Sequence, residues 1–291
     1  MFGKNFSINF MSVRRIALLL SIVLVLGSMS LLVFRGLNLG IDFRGGNLLQ
    51  IQLPTPTDVS EVRSVMSEAG AEQAIIQAYS DRGFIIRLKT DSDEAVSNVL
   101  SVLKVKYPGM ELLRLEKVGP VVGKALRKQA IVAVCIALVG ILIYITLRFR
   151  FRFAVVSVIA LIHDSLITLG VFSLTGREIS LPFIAAILTI VGYSLNDTIV
   201  VLDRIRENWK SLGKEGIINV LNISINQTLS RTINTSLTTF LPVAALFLWG
   251  GPVIANFAFA IMVGIIVGTY SSIYVASALL AEWYLASPEK K

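Results

Sequence analysis

The chain has 291 residues, 54% hydrophobic and only 16% charged, with a mean hydropathy of +0.73 and a net charge of +8, where a soluble domain carries about 25% charge. That composition excludes an ordinary water-soluble protein and points to a polytopic membrane protein. A single cysteine, Cys135, excludes an intrachain disulfide and any multi-cysteine metal site.

In chain order, residues 1–15 form a short N-terminal segment. Residues 16–34 are an apolar run close to the roughly 20 residues that a hydrocarbon core requires. No small-residue cleavage pattern follows it, so it reads as a retained anchor and not a signal peptide. Residues 35–128 are the one long polar block. It opens on Gly40-Ile41-Asp42-Phe43-Arg44-Gly45-Gly46, in which two adjacent positions lack a Cβ, so Asp42, Gly45 and Gly46 read as a structural turn. Residues 47–53 are strand-like. Residues 58–70 place Val59, Val62, Val65, Met66 and Ala69 at helical spacing. Residues 74–78 and 84–88 are again strand-like, with a Ser80-Asp81-Arg82-Gly83 turn between them. A helix over 92–107 and a strand over 111–118 complete the order βαββαβ, that of a ferredoxin-like α+β domain. Its 13 basic and 11 acidic residues are well mixed, so it offers no basic face for nucleic acid, and it has no His or Cys cluster for a metal.

Residues 129–285 hold five further apolar runs, at 130–147, 153–174, 181–202, 223–248 and 253–284, and residues 286–291 are a short polar end. Six spans place both termini on one side. Lys4, Arg14, Arg15, Arg148, Arg150, Arg152, Arg204, Arg206, Lys210, Lys214, Lys290 and Lys291 fall on that side, against Arg177 alone in the short loops opposite. Twelve against one makes that side cytoplasmic and sends residues 35–128 across the membrane.

An ionisable side chain inside a span costs about 2.5 to 3.5 kcal/mol on insertion scales, so each marks a candidate site. The third span carries His163-Asp164, the fourth Asn196-Asp197, and the fifth Arg231 within a stripe of Gln227, Arg231, Asn234, Thr235 and Thr238 at spacings of three and four. The best turn signal between the fourth and fifth spans is Leu212-Gly213-Lys214-Glu215-Gly216. Asp197 and Arg231 are equidistant from its central Lys214, so two similar helices leaving that turn are expected to bring carboxylate and guanidinium to one depth. Such a pair is either a proton-carrying couple or a static buried salt bridge. Asp164 and His163 are subsidiary candidates for proton transfer. In the sixth span Ala260, Gly264, Gly268, Ser272 and Ala276 recur every four residues and contain a GxxxG. Gly264, Gly268 and Ser272 are therefore expected to pack against another helix, of this chain or of a partner. No nucleotide loop, catalytic triad or metal-ligand set occurs, so neither enzymatic chemistry nor a cofactor is expected.

Together these motifs resemble the SecF branch of the SecD/SecF family of bacterial Sec protein-export proteins, within the resistance-nodulation-division superfamily. The carriers are Gly40 to Gly46, Ala160-Leu161-Ile162-His163-Asp164, Val191-Gly192-Tyr193-Ser194-Leu195-Asn196-Asp197-Thr198-Ile199-Val200-Val201 with Asp203 to Asn208, Gln227-Thr228-Leu229-Ser230-Arg231-Thr232, and Ser271 to Ala276. The resemblance implies an inner-membrane subunit that acts with SecD. Protons driven by the membrane potential would promote late, outer-side steps of preprotein translocation through the SecYEG channel, and the family's relay aspartate and partner arginine fall on Asp197 and Arg231. It implies lipid and the preprotein as further contacts, and a periplasmic location for the domain at 35–128. A half-size exporter of small molecules or lipids would call for a larger substrate cleft outside the membrane. A non-transporting scaffold would not need charges inside its spans.

Overall fold

The structure, a computed structural model, describes residues 8–90, 92–149 and 151–287; Lys4, Arg150, Lys290 and Lys291 of the charge asymmetry lie outside the described residues. The chain divides into two compact units, residues 39–132 and the sequence flanking them.

In the first unit a short helical turn, Ile41–Arg44, leads into β1 (Gly46–Gln52), α2 (Val59–Glu68), β2 (Ile75–Ala78), β3 (Gly83–Leu88), α3 (Asp93–Lys106) and β4 (Glu111–Val118), where α1 is the membrane helix that precedes them (Arg14–Phe34). The entry turn ends on Gly45 at φ 80° and Gly46 at φ 121°, a backbone region that side chains rarely adopt, and a Cβ on Gly46 would collide with the Leu88 carbonyl oxygen. Sheet order is β2-β3-β1-β4 with each adjacent pair antiparallel. Alternation along the strands turns Leu49, Ile51, Phe84 and Ile86 to one face, where they are at most 0% exposed against Val62, Val65, Val99 and Leu103 of the two helices. Both helices begin on polar caps: Asp58 accepts from the Ser60 amide at 2.8 Å, and Ser92 accepts from the Ala95 amide at 3.3 Å. At the far end of α3, Tyr107 donates to Glu61 at 3.1 Å; burial, with that carboxylate beside it, pushes the phenol up to about 12.

The second unit carries the membrane helices. Six are long and apolar enough to cross a bilayer: α1, α4 (Pro120–Arg148), α5 (Phe151–Thr175), α6 (Leu181–Leu212), α7 (Ile217–Trp249), and a sixth that runs as α8 (Gly251–Tyr270), a π-helical turn (Ser271–Ala276) and α9 (Ser277–Ala286). Helix α4 starts about one span-third earlier than its apolar run, at Pro120, and carries Lys124, Arg127 and Lys128 in its first turns. Hydropathy marks where a helix enters lipid, not where its hydrogen bonding begins. The apolar windows of α5, α6 and the sixth span are 56%, 50% and 56% buried, against 17% for the first span and 6% each for α4 and α7. The third, fourth and sixth spans thus form the core, and the others present long apolar faces outward. Close approach depends on small residues: a Cβ on Gly170 of α5 would overlap Ser28 of α1. Near the chain start, Asn226 and Asn222 of α7 accept the Ile8 and Met11 amides at 2.9 Å each, and Arg14 pairs with Glu282 at 2.9 Å, which ties the first, fifth and sixth spans at one end.

Candidate functional site

Helix α6 turns Ser194, Asp197 and Thr198 inward, each at most 2% exposed, and leaves Asn196 on the outside. The Asp197 carboxylate receives one long hydrogen bond, from Ser236 of α7 at 3.4 Å. Ser236 in turn shares a 2.7 Å hydroxyl contact with Thr269 of α8, whose own hydroxyl reaches the Ile265 carbonyl at 2.7 Å. Ser236 and Thr269 also line an apolar cleft of about 350 Å³ with Ile233, Leu237, Phe240 and Ile265.

Arg231 does not meet Asp197. Among the described residues no ion pair joins them, and Arg231 is exposed on α7 while Thr232 beside it is 1% exposed. The expected pairing fails for two reasons. The contacts Arg204 to Gln227 at 2.7 Å, Asn208 to Ser224 at 2.9 Å and Asp197 to Ser236 are each centred within a residue of Gly216, the left-handed N-cap of α7 at φ 87°, and not on Lys214. A centre moved by two residues moves the opposing residue by four, a full helical turn, so Asp197 lies level with Ser236. Equal depth also says nothing of azimuth. Thr228, Thr232 and Ser236 recur every four residues and face inward, whereas Gln227, Arg231, Asn234 and Thr238 are exposed, about a quarter-turn away.

Asp164 is the more heavily bonded carboxylate. It is 1% exposed. One oxygen accepts from Ser194 of α6 at 2.5 Å and from Ser271, the first residue of the π-helical turn, at 2.7 Å. The other lies 2.9 Å from Nδ1 of His163, itself 5% exposed. Gly264 and Gly268 meet α6 of the same chain: a Cβ on Gly264 would fall within the Ile190 side chain, and one on Gly268 would lie 3.0 Å from Ser194 Cβ. Ser272 is fully buried and donates to the Thr269 carbonyl at 3.0 Å. Ser194 and Ser271 stand in the sequence only as parts of longer motifs, without a role of their own, and Ser236 and Thr269 are not singled out by it. Ser194 sits one turn before Asp197 and Ser236 one turn after Thr232, so projecting the polar residues of α6 and α7 onto inward faces would have found them. Ser271 was hidden beside the four-residue stripe of the sixth span.

The family model for protein export membrane protein SecD/SecF, C-terminal, matches residues 98–286, and that for the SecD/SecF GG motif matches residues 30–54. The chain is 49% identical over 291 residues to the protein translocase subunit SecF of Desulfurispirillum indicum, covering 96% of this chain and 93% of that one. It is 40% identical over 286 residues to SecF of Pseudomonas aeruginosa, covering 97% and 94%. The crystal structure of SecDF from Thermus thermophilus, a translocon-associated membrane protein, matches at a TM-score of 0.92 and 42% identity over 98% of this chain. This chain spans 40% of that longer protein.

Proposed function

The chain belongs to the SecD/SecF family of protein-export membrane proteins, and on that premise we propose that it is the SecF-like half of a proton-driven export machine completed by SecD. Fusion of the two halves in the Thermus thermophilus SecDF, of which this chain matches 38%, supports SecD as the partner. The polar stripe of α7 supports it independently, because Arg231 and Asn234 are exposed within a span and hydrocarbon cannot satisfy their side chains. The SecYEG channel and the emerging preprotein follow from the same membership. The βαββαβ order with the first strand between the third and fourth supports a ferredoxin-like domain, and the basic residues gathered at one end of the spans support cytoplasmic termini with that domain in the periplasm of a bacterial inner membrane. Reporter fusions after Gly213 should behave as cytoplasmic and fusions near Arg82 as exported; a reversed pattern would refute the orientation.

The observation that carries the mechanism is Asp197. A carboxylate 2% exposed, with one long hydroxyl contact and no ion pair among the described residues, costs several kcal/mol while it remains ionised. Its charge has to be met by a proton or by a cation brought to it. In the proposed cycle protonated Asp197 rests against Ser236, and the ionised carboxylate draws Arg231, always charged, by a shift of α7 along α6 of about one turn together with a rotation of about a quarter-turn about its own axis. A charge crossing 100 mV supplies about 2.3 kcal/mol, enough to change the ratio of two states by about fifty-fold. Export into membrane vesicles tests the function: restoring this chain to membranes depleted of it should let a proton gradient raise the yield of fully translocated preprotein, and an unchanged yield would remove the proposal.

A further inference from the structure

Beside Asp197 the membrane core holds a second ionisable cluster. His163 and Asp164 are 5% and 1% exposed and bonded to each other at 2.9 Å. Three consecutive residues where α8 passes into the π-helical turn touch both sites and the first span. Thr269 meets Ser236, the hydrogen-bond donor to Asp197. Tyr270 stacks near the His163 ring with centroids 6.3 Å apart, donates to the Ala17 carbonyl at 2.8 Å and contacts Ser21 at 3.0 Å. Ser271 donates to Asp164 at 2.7 Å and opens the π-helical turn. Wide helical turns of this kind occur mostly as single-turn insertions in α-helices, and frequently at functional sites.

From this geometry we propose that His163 and Asp164 form a second proton-holding site, coupled to Asp197 through the turn Thr269-Tyr270-Ser271. It rests on Asp197 being the proton carrier of the proposed function. The two hydroxyl donors on one Asp164 oxygen fit an ionised carboxylate, and the Nδ1 contact to the other then carries the imidazole proton. That leaves His163 Nε2 as a bare lone pair, and this atom is buried with no hydrogen-bond partner among the described residues. In that state the pair holds one net negative charge in an apolar core. A proton from the aqueous phase that bonds to the Nε2 lone pair converts it to a neutral imidazolium-carboxylate couple. The hydroxyl of Ser271 has a second acceptor, the Gly268 carbonyl at 3.1 Å, so weakening of its bond to Asp164 releases the π-helical turn without stranding a donor. Of the elements that touch the pair, the sixth span brings Tyr270 to the His163 ring, and α6, which brings Ser194 to Asp164, carries Asp197 one turn further on. The first span carries no charged residue between Arg15 and Arg35, and Arg231 of α7 is exposed on another face. In this arrangement, before Arg231 is drawn in, an ionised Asp197 favours proton uptake at His163, and removal of its charge makes that uptake harder.

The chain contains one histidine, so the full chain labelled with ¹⁵N-histidine in lipid nanodiscs gives ring-nitrogen signals from His163 alone. On acidification from about pH 8 to about pH 5, Nε2 should change from bare to protonated while Nδ1 stays protonated. Asp197→Asn should move the midpoint to lower pH, through loss of a negative charge on the helix that holds Ser194 against Asp164. Asp197→Glu, which keeps the charge, should leave it near wild type and controls for misfolding. An Nε2 signal that stays in one state overturns the second site. A midpoint that is the same in wild type and Asp197→Asn overturns the coupling. Neither readout requires export, so these failures are separate from failure of the proposed function.

Discussion

Replacement of Asp197 by Asn is expected to abolish the stimulation of export by a proton gradient while the chain still accumulates in the membrane at wild-type levels. Asn keeps the volume of Asp, and its amide oxygen can still accept from Ser236, which contacts Asp197 at 3.4 Å. It adds no charge to the core, so the cost to folding is limited to that of an imperfectly paired amide, about 1 to 3 kcal/mol. What it cannot do is release a proton or draw Arg231. Energised vesicles carrying equal amounts of each variant give the comparison, as the yield of translocated preprotein with and without the gradient. Stimulation at the wild-type level would reduce Asp197 to a structural residue.

Gly264→Leu is expected to have the largest effect on folding. The sixth and fourth spans touch at Gly264, where even a Cβ would fall among three atoms of Ile190. Ile190 is β-branched and 1% exposed, so it has no free rotamer into which to withdraw. Overpacking at such a contact costs about 1 to 3 kcal/mol and sometimes more. It would also part Ser194 from the turn that holds Thr269 and Ser271. Thermal unfolding in detergent should show a large loss of stability for Gly264→Leu, and Gly264→Ala combined with Ile190→Ala should recover most of it, since the shortened side chain leaves room for the new methyl. A double variant as unstable as Gly264→Leu would show that the contact is not what limits packing there.

Much of the architecture was legible because its determinants are local. Period-two and helical spacings between residues 47 and 118 gave the element order, and the entry turn followed from Gly45 and Gly46. Six apolar runs correspond to the six long helices. Helix ends were not legible from hydropathy, as Pro120 shows, because polar turns outside lipid continue the same hydrogen-bonding pattern. The π-helical turn at Ser271–Ala276 left no trace either: all its residues fit an ordinary apolar helix, and the extra residue in the turn is fixed only by packing and by the bond from Ser271 to Asp164. The site was half legible. The cost of burying ionisable groups singled out Asp197, Arg231, Asp164 and His163. Their partners depend on helix register and azimuth: two residues of error at one loop, Lys214 against Gly216, misplaced Arg231 by a turn, and the inward face of α7 put Ser236 opposite Asp197.

Proton exchange at Asp197 is most directly measured as the infrared difference spectrum between acid and alkaline pH of the chain assembled with SecD. In wild type a protonated-carboxyl C=O band should appear on acidification, shift in heavy water, and be missing from Asp197→Asn. Identical difference spectra for the two proteins would contradict Asp197 as the proton carrier.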